Sequence, residues 1–404
     1  MVRTAAFALP DGLVLRAARP VDLAQIGELL SARGDESDAT DHRLVVEDPD
    51  LGCECCAVVV DGDRVVSTAL LLDETLRVGD VTLSAGQVEL VATQPAYEGR
   101  GLVRALMHWA HTRSHARGHV LQVMIGIPYF YRLFGYEYAI DMPAARKLAD
   151  PPVAGHGFRR AAADDIPVLT ALQDAAQRTA DVAMPHPAAR WRWLLQHESS
   201  STWVVERDGV VVASARVRAA DDDVLVAEAA AVDARAADQL LSCLVDSFGE
   251  EMAIVHRPGT VTGSAWEDRL AGPRPQAEQY YVRLPAPELL LDLLRPLMYQ
   301  RLVAAGVDRV GKDVVISTFG RHYRMPVTAT GLGPVQVGGP MQGPGAVGGA
   351  GVAPDHLAAL LLGPLGIEGL TCIRPDVYAG PDAELFTALF PPTTADLLTY
   401  YLPW

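Results

Sequence analysis

Residues 95–107 read P-A-Y-E-G-R-G-L-V-R-A-L-M, and residues 126–138 read G-I-P-Y-F-Y-R-L-F-G-Y-E-Y. Val88–Ala92 is strand-like, and Pro95 ends it. Gly99 and Gly101 bracket a turn that opens a helix over Leu102–Arg117, with Gly118 at its C-terminus. Such a turn aims several backbone N–H groups at one point, and the helix N-terminus adds its positive end. That is an anion site suited to a pyrophosphate, with Arg100 and Arg104 adding charge. The turn lacks the lysine of a P-loop and the third glycine of a dinucleotide fingerprint. Val120–Ile125 then reads as a strand. A short helix from near Pro128 and a strand from Tyr136 follow.

Around this segment the chain is long and acidic. It has 404 residues, with 34 Lys+Arg against 50 Asp+Glu and a net charge of −16. That length predicts two to four domains. Half of the residues are hydrophobic, enough for packed cores, which excludes disorder as the main state. The acidity argues against nucleic acid as a partner. No apolar run is long enough to span a bilayer, so a cytoplasmic protein without membrane insertion is expected. The five cysteines form no paired zinc knuckles, and no metal is expected. Cys53, Cys55 and Cys56 read as buried strand residues.

An echo divides the chain. Arg16–Leu30 and Arg159–Leu172 align, Asp22 falling on Asp165 and Leu29 on Leu172. Each is a strand end, an Asp suited to capping, and an amphipathic helix. A hairpin with an Asp-Gly turn follows each, at Asp61-Gly62 and Asp208-Gly209. The second copy passes from strand to helix without glycine. From about residue 286 the texture changes. A helix over Pro287–Ala305, interrupted at Pro296, is followed by strands at Asp313–Phe319 and Tyr323–Thr328. Gly331–Pro354 is rich in glycine and proline and is read as non-helical.

The P-x-Y-x-G-R-G-L loop and the F-Y-R-L-F-G-Y-E segment, in this order and separation, resemble the GCN5-related N-acetyltransferase (GNAT) superfamily over roughly residues 14–140. Glu98 and Val103 depart from the loop's usual residues. The whole chain resembles the enhanced intracellular survival family. That resemblance implies an α/β (α+β) fold class: tandem GNAT folds, the second degenerate, followed by a sterol-carrier-protein-like α+β domain. The expected limits are 1–150, 151–285 and 286–404. It implies an acetyl-CoA-dependent N-acetyltransferase acting on a primary amine of aminoglycoside, polyamine or lysine type, in a homo-hexamer. A non-catalytic coenzyme A sensor or apolar-ligand binder is the alternative.

The resemblance also implies roles. Val91, Ala92 and Thr93 hold the pantetheine and thioester. Glu98, Gly99, Arg100, Gly101, Leu102 and Val103 hold the pyrophosphate, and Gly126 and Ile127 touch the cofactor further on. Tyr131 matches the general acid, and the C-terminal carboxylate, here that of Trp404, matches the base. Glu89 is the rival base, because strand alternation puts 87, 89, 91 and 93 on one face. Asp35, Glu36 and Asp38, in an acidic loop between the first two helices, are candidates for the acceptor wall. His108, His111 and His115 read as an outward helix face.

Overall fold

The structure, a computed structural model, describes residues 6–220, 223–273 and 278–397. The first unit builds strands β1 (Phe7–Ala8), β2 (Val14–Ala17), β3 (Cys56–Asp61), β4 (Arg64–Val78), β5 (Val81–Thr93), β6 (Leu121–Met124) and β7 (Glu137–Asp141). Its helices are α1 (Leu23–Arg33), α2 (Ser37–Val46) and α3 (Leu102–Ala116). The second builds β8 (Ala145–Lys147), β9 (Phe158–Arg160), β10 (Val182–Ala183), β11 (Ser201–Arg207), β12 (Val210–Ala220), β13 (Asp223–Ala231), β14 (Met252–Val255) and β15 (Gln279–Arg283). Helices α4 (Ile166–Gln177), α5 (Ala188–Gln196), α6 (Ala234–Phe248) and α7 (Val261–Trp266) go with them. The third holds α8 (Pro287–Ala304), β16 (Asp313–Ser317), β17 (His322–Thr328), β18 (Gly331–Leu332), β19 (Gln336–Gly338), β20 (Ala350–Val352), α9 (Leu357–Leu362), α10 (Gly366–Ile373), β21 (Val377–Tyr378), α11 (Ala383–Leu389) and β22 (Ala395–Asp396).

Two α/β units stand in tandem. The first sheet runs β1-β2-β3-β4-β5-β6-β15-β7, and the second β8-β14-β13-β12-β11-β9. In each, a hairpin-rich antiparallel half meets one parallel pair, β5 with β6 and β13 with β14. The echo in sequence is an echo in structure. Arg16 donates to both carboxylate oxygens of Asp22 at 2.6 and 2.8 Å, and Arg159 to those of Asp165 at 2.7 and 2.9 Å. Neither Asp caps its helix by side chain. Each reaches back to the backbone N–H three residues earlier, Arg19 at 2.7 Å and Ala162 at 2.8 Å, because the guanidinium draws the carboxylate that way.

The second unit lends a strand to the first sheet. β8 pairs with β14 of the second sheet, and β15 lies between β6 and β7 of the first. A cut at 150 or at 285 therefore parts each strand from the sheet it completes.

The third unit is a six-stranded sheet, β18-β17-β16-β20-β21 with β19 beside β17, packed with α8 to α11. Helix α8 runs unbroken through Pro296. Pro296 costs a backbone hydrogen bond, and the buried stripe Leu290, Leu291, Leu294, Met298 and Leu302 holds the helix in place. Strand β22 returns to the first unit, pairing with β10, which pairs with the end of β4. Cys53–Cys55 forms a 3-10 turn rather than strand, entered through Gly52 at φ +70°. Burial pushes the Cys55 thiol up to about 12, so it stays protonated and unreactive. Among the described residues no helix is long and apolar enough to cross a membrane.

Candidate active site

Strands β5 and β6 pair only at Ala85↔Leu121, Gly86↔Gln122 and Gln87↔Val123. Beyond Gln87 the two part. Two features of β5 mark the departure: a register shift against β4 between Thr68 and Leu70, and Leu90 at φ +48°. A buried leucine in that region is strained by about 1–2 kcal/mol, which the packing around it must hold. The bulge breaks the expected alternation. Val88 and Val91 pack towards α3, while Leu90 and Ala92 join the core beneath α1 and α2. Residues 87, 89, 91 and 93 therefore do not share one face, because one extra residue reverses the alternation.

The parted strands open a cavity of about 570 Å³. Val91, Ala92 and Thr93 wall one side, and Tyr131, Phe130 and Phe134 wall another. At its mouth lie Glu98, Gly99, Gly101, Leu102 and Val103, where α3 begins. Gly99 and Gly101 stand at φ +74° and +78°, a conformation that glycine adopts without strain. No side chain caps α3, so its first N–H groups remain available to an anion. Arg104 lines the cavity with its guanidinium 5.6 Å from the Phe134 ring. Arg100 is exposed outside the lining and lies 4.8 Å from the Tyr97 ring. Glu98 donates no negative charge to the mouth unopposed, since Arg33 pairs with it at 2.6 Å. Arg33, which also lines the cavity, was not among the residues singled out from sequence.

Tyr131 sits in the 3-10 turn Phe130–Phe134 and is 6% exposed. Burial, then the charge of Glu89, pushes its phenol up to about 12, so it carries its proton throughout the physiological range. Gly126 makes room for it: a Cβ there would run into the Tyr131 ring. Ile127 lines the cavity.

Glu89 is fully buried and not on the cavity wall. Gln87 donates to it at 2.6 Å. Burial raises its carboxyl to about 8; the Gln87 bond opposes this and the charge of Asp38 adds to it. Asp38 is buried in the first turn of α2, accepts from the Asp35 N–H at 3.2 Å, and is raised by burial to about 6. Asp35 and Glu36 are exposed beside it. The stretch expected as an acidic loop is thus mostly helix, α2 beginning at Ser37. Its Asp38 folds inward to satisfy a backbone N–H. His111 also departs from the expected outward face. It packs on Tyr136, 3.3 Å from the hydroxyl, and burial lowers it to about 4. His108 and His115 are exposed. Trp404 lies outside the described residues.

One residue that sequence reading missed enters from far away. Tyr281 of β15 accepts the Tyr129 N–H at 2.6 Å, and its ring meets Tyr131 at 6.0 Å. Its alternating stretch Q-Y-Y-V-R reads as a strand, but nothing local says which sheet it joins.

Residues 19–139 match the Acetyltransferase (GNAT) domain family. No curated protein matches the chain. Among solved structures, a GCN5-related N-acetyltransferase from Anabaena variabilis shares 12% identity with a TM-score of 0.71, over 96% of this chain and all of that one. A GCN5-related N-acetyltransferase from Kribbella flavida shares 20% with a TM-score of 0.64, over 96% and 98%. Eis1 from Mycobacterium abscessus shares 17% with a TM-score of 0.61, over 96% and 100%. These likenesses extend the common fold through all three units. The first unit is therefore a GNAT acetyltransferase domain.

Proposed function

We propose that the chain transfers an acetyl group from acetyl-CoA to a primary amine in the cavity between β5 and Tyr131. The observation that supports this most is the uncapped N-terminus of α3 at the mouth, with a buried, protonated tyrosine at the inner wall. The residues fit the cofactor. Gly99 to Val103 and the first turn of α3 hold the pyrophosphate, with Arg104 beside them. The unpaired edge of Val91–Thr93 offers hydrogen bonds to the pantetheine amides. When bound, acetyl-CoA supplies an activated acyl group. The chain brings the amine to it, which accounts for much of the rate gain. Glu89, through water, takes the proton from the ammonium, and Tyr131 gives its proton to the departing sulfur. Asp35 and Glu36, exposed at the α1–α2 turn next to Arg33, draw a cationic acceptor to the mouth. Aminoglycosides, polyamines and lysine side chains share that chemistry. A cytoplasmic homo-hexamer with a sterol-carrier-like third unit completes the reading, on resemblance.

Calorimetry with acetyl-CoA, followed by a thiol-release assay over a panel of amines, tests it. Micromolar binding and amine-dependent release are expected. Tight binding without release on any amine would favour a coenzyme A sensor instead. Tyr131→Phe should lower kcat about 100-fold and leave acetyl-CoA affinity intact. An active protein carrying extra residues after Trp404 would remove its carboxylate as the base and leave Glu89.

A further inference from the structure

The turn that carries Tyr131 is held by a residue 150 positions downstream. Ile127, Pro128 and Tyr129 are exposed, and Tyr129 stands at φ +69°, a conformation that a tyrosine backbone adopts only when something fixes it. The Tyr129 N–H donates to the Tyr281 hydroxyl at 2.6 Å. That hydroxyl donates in turn to the Tyr138 hydroxyl at 2.7 Å, with the Ile127 carbonyl 3.3 Å away. The Tyr281 ring is stacked on Tyr138 at 4.0 Å between centroids and meets Tyr131 at 65°. Tyr281 is fully buried, and β15 is paired on both sides, with β6 and with β7. It is therefore a fixed post under a strained turn.

We propose that Tyr281 is a positioning residue for Tyr131: its hydroxyl grips the backbone of Tyr129, sets the 3-10 turn, and so places the phenol that protonates the leaving sulfur. This rests on the acid role of Tyr131 given above. It also makes the chemistry of the first unit depend on a strand delivered only after the second unit has been traversed.

Tyr281→Phe in the full chain removes one oxygen and keeps the stacked ring. The expected result is a kcat lowered about tenfold, with acetyl-CoA affinity within about twofold of the parent. In a Tyr131→Phe background the same substitution should lower kcat no further, because there is no acid left to misplace. An equal loss in both backgrounds would mean that Tyr281 acts independently of Tyr131 and would overturn the proposal. So would an unchanged kcat in the single variant. If Tyr131→Phe alone leaves kcat intact, the acid assignment fails and takes this inference with it, a result distinct from the other two.

Discussion

The first and second units follow the same path and treat two places oppositely. In the first, α3 starts at Gly101 with no side chain over its N–H groups. In the second, α6 starts after Asp233, whose carboxylate accepts the Ala236 N–H at 2.7 Å. The second unit thus covers with its own carboxylate the helix N-terminus that the first leaves uncapped. The parted strands differ as well. Beyond Val226 the edge of β13 is taken up from within: Arg257 donates to the Ala227 carbonyl at 2.8 Å, and Thr262 to that of Ala229 at 3.1 Å. A cavity of about 400 Å³ survives between α4, the end of β13 and α7, but its walls are apolar residues, glycine and threonine, with no basic group. A fold is not a site: one backbone can open a cleft or seal it with two side chains.

The buried glutamates sharpen the contrast. Glu89 near the end of β5 has one amide partner and is raised to about 8. Glu228 near the end of β13 receives Arg216 at 2.7 Å and His186 at 2.8 Å. Burial would raise Glu228 too, but Arg216 and then His186 hold it far below the usual carboxylate range. One carboxyl is poised to exchange a proton, and the other is locked as a charge. Glu228→Gln should therefore destabilise the fold by about 3–5 kcal/mol, since it leaves Arg216 buried beside a neutral group. The acetylation rate of the protein that remains folded should be unaltered. Urea unfolding with the rate measured alongside would break the contrast if stability held and rate fell.

The next largest effect is expected at the mouth. Gly101→Asp brings an acid to the α3 N-terminus, in imitation of Asp233, and strains a backbone at φ +78°. Acetyl-CoA should bind at least about 100-fold more weakly, or about 2.7 kcal/mol. Calorimetry that found unchanged affinity would mean that the pyrophosphate sits elsewhere.

Glu89→Gln comes third. A base must be ionised, so the parent rate should climb with pH and level off above about 8. The variant should lose that limb and fall about tenfold at pH 8. Stability moves the opposite way. A folded value near 8 above an ordinary value of 4.5 means that the native state holds a proton the unfolded chain has released. The contribution is complete below pH 4.5 and is lost as pH rises towards 8. The variant's stability should lack that decline. A parent rate flat from pH 6 to 9 would place the base elsewhere.

How much of this was legible in the sequence follows from distance along the chain. The Gly99–Gly101 turn, the helix that follows it and the alignment of Asp22 with Asp165 are local, and the structure repeats them, although each Asp binds an arginine instead of capping its helix. Bulges and a lent strand are not local. Leu90 carries no mark of its positive φ, and Tyr281 none of its sheet, because both are settled by pairing with residues far away. The inward turn of His111 was hidden for the same reason, since the hydroxyl it meets belongs to Tyr136, 25 residues on, whereas Asp38 turns to a local N–H, that of Asp35 three residues back.

The smallest expected effect tests whether sealing the second unit needs both devices. Asp233→Ala uncaps α6 and should cost about 1 kcal/mol of stability. It also releases Arg207, which pairs with Asp233 at 3.0 Å at the surface, a contact of little energetic weight. If the cap were the whole reason that the second unit is closed, the variant would bind a second acetyl-CoA. The strand edge argues otherwise, because Arg257 and Thr262 still occupy the carbonyls that a pantetheine would need. Arg257 is itself fixed by Asp396 at 2.7 Å, so it has no reason to leave. Calorimetric stoichiometry should therefore remain one per chain in the variant. Two would show that the helix cap alone separates a cofactor site from its silent copy.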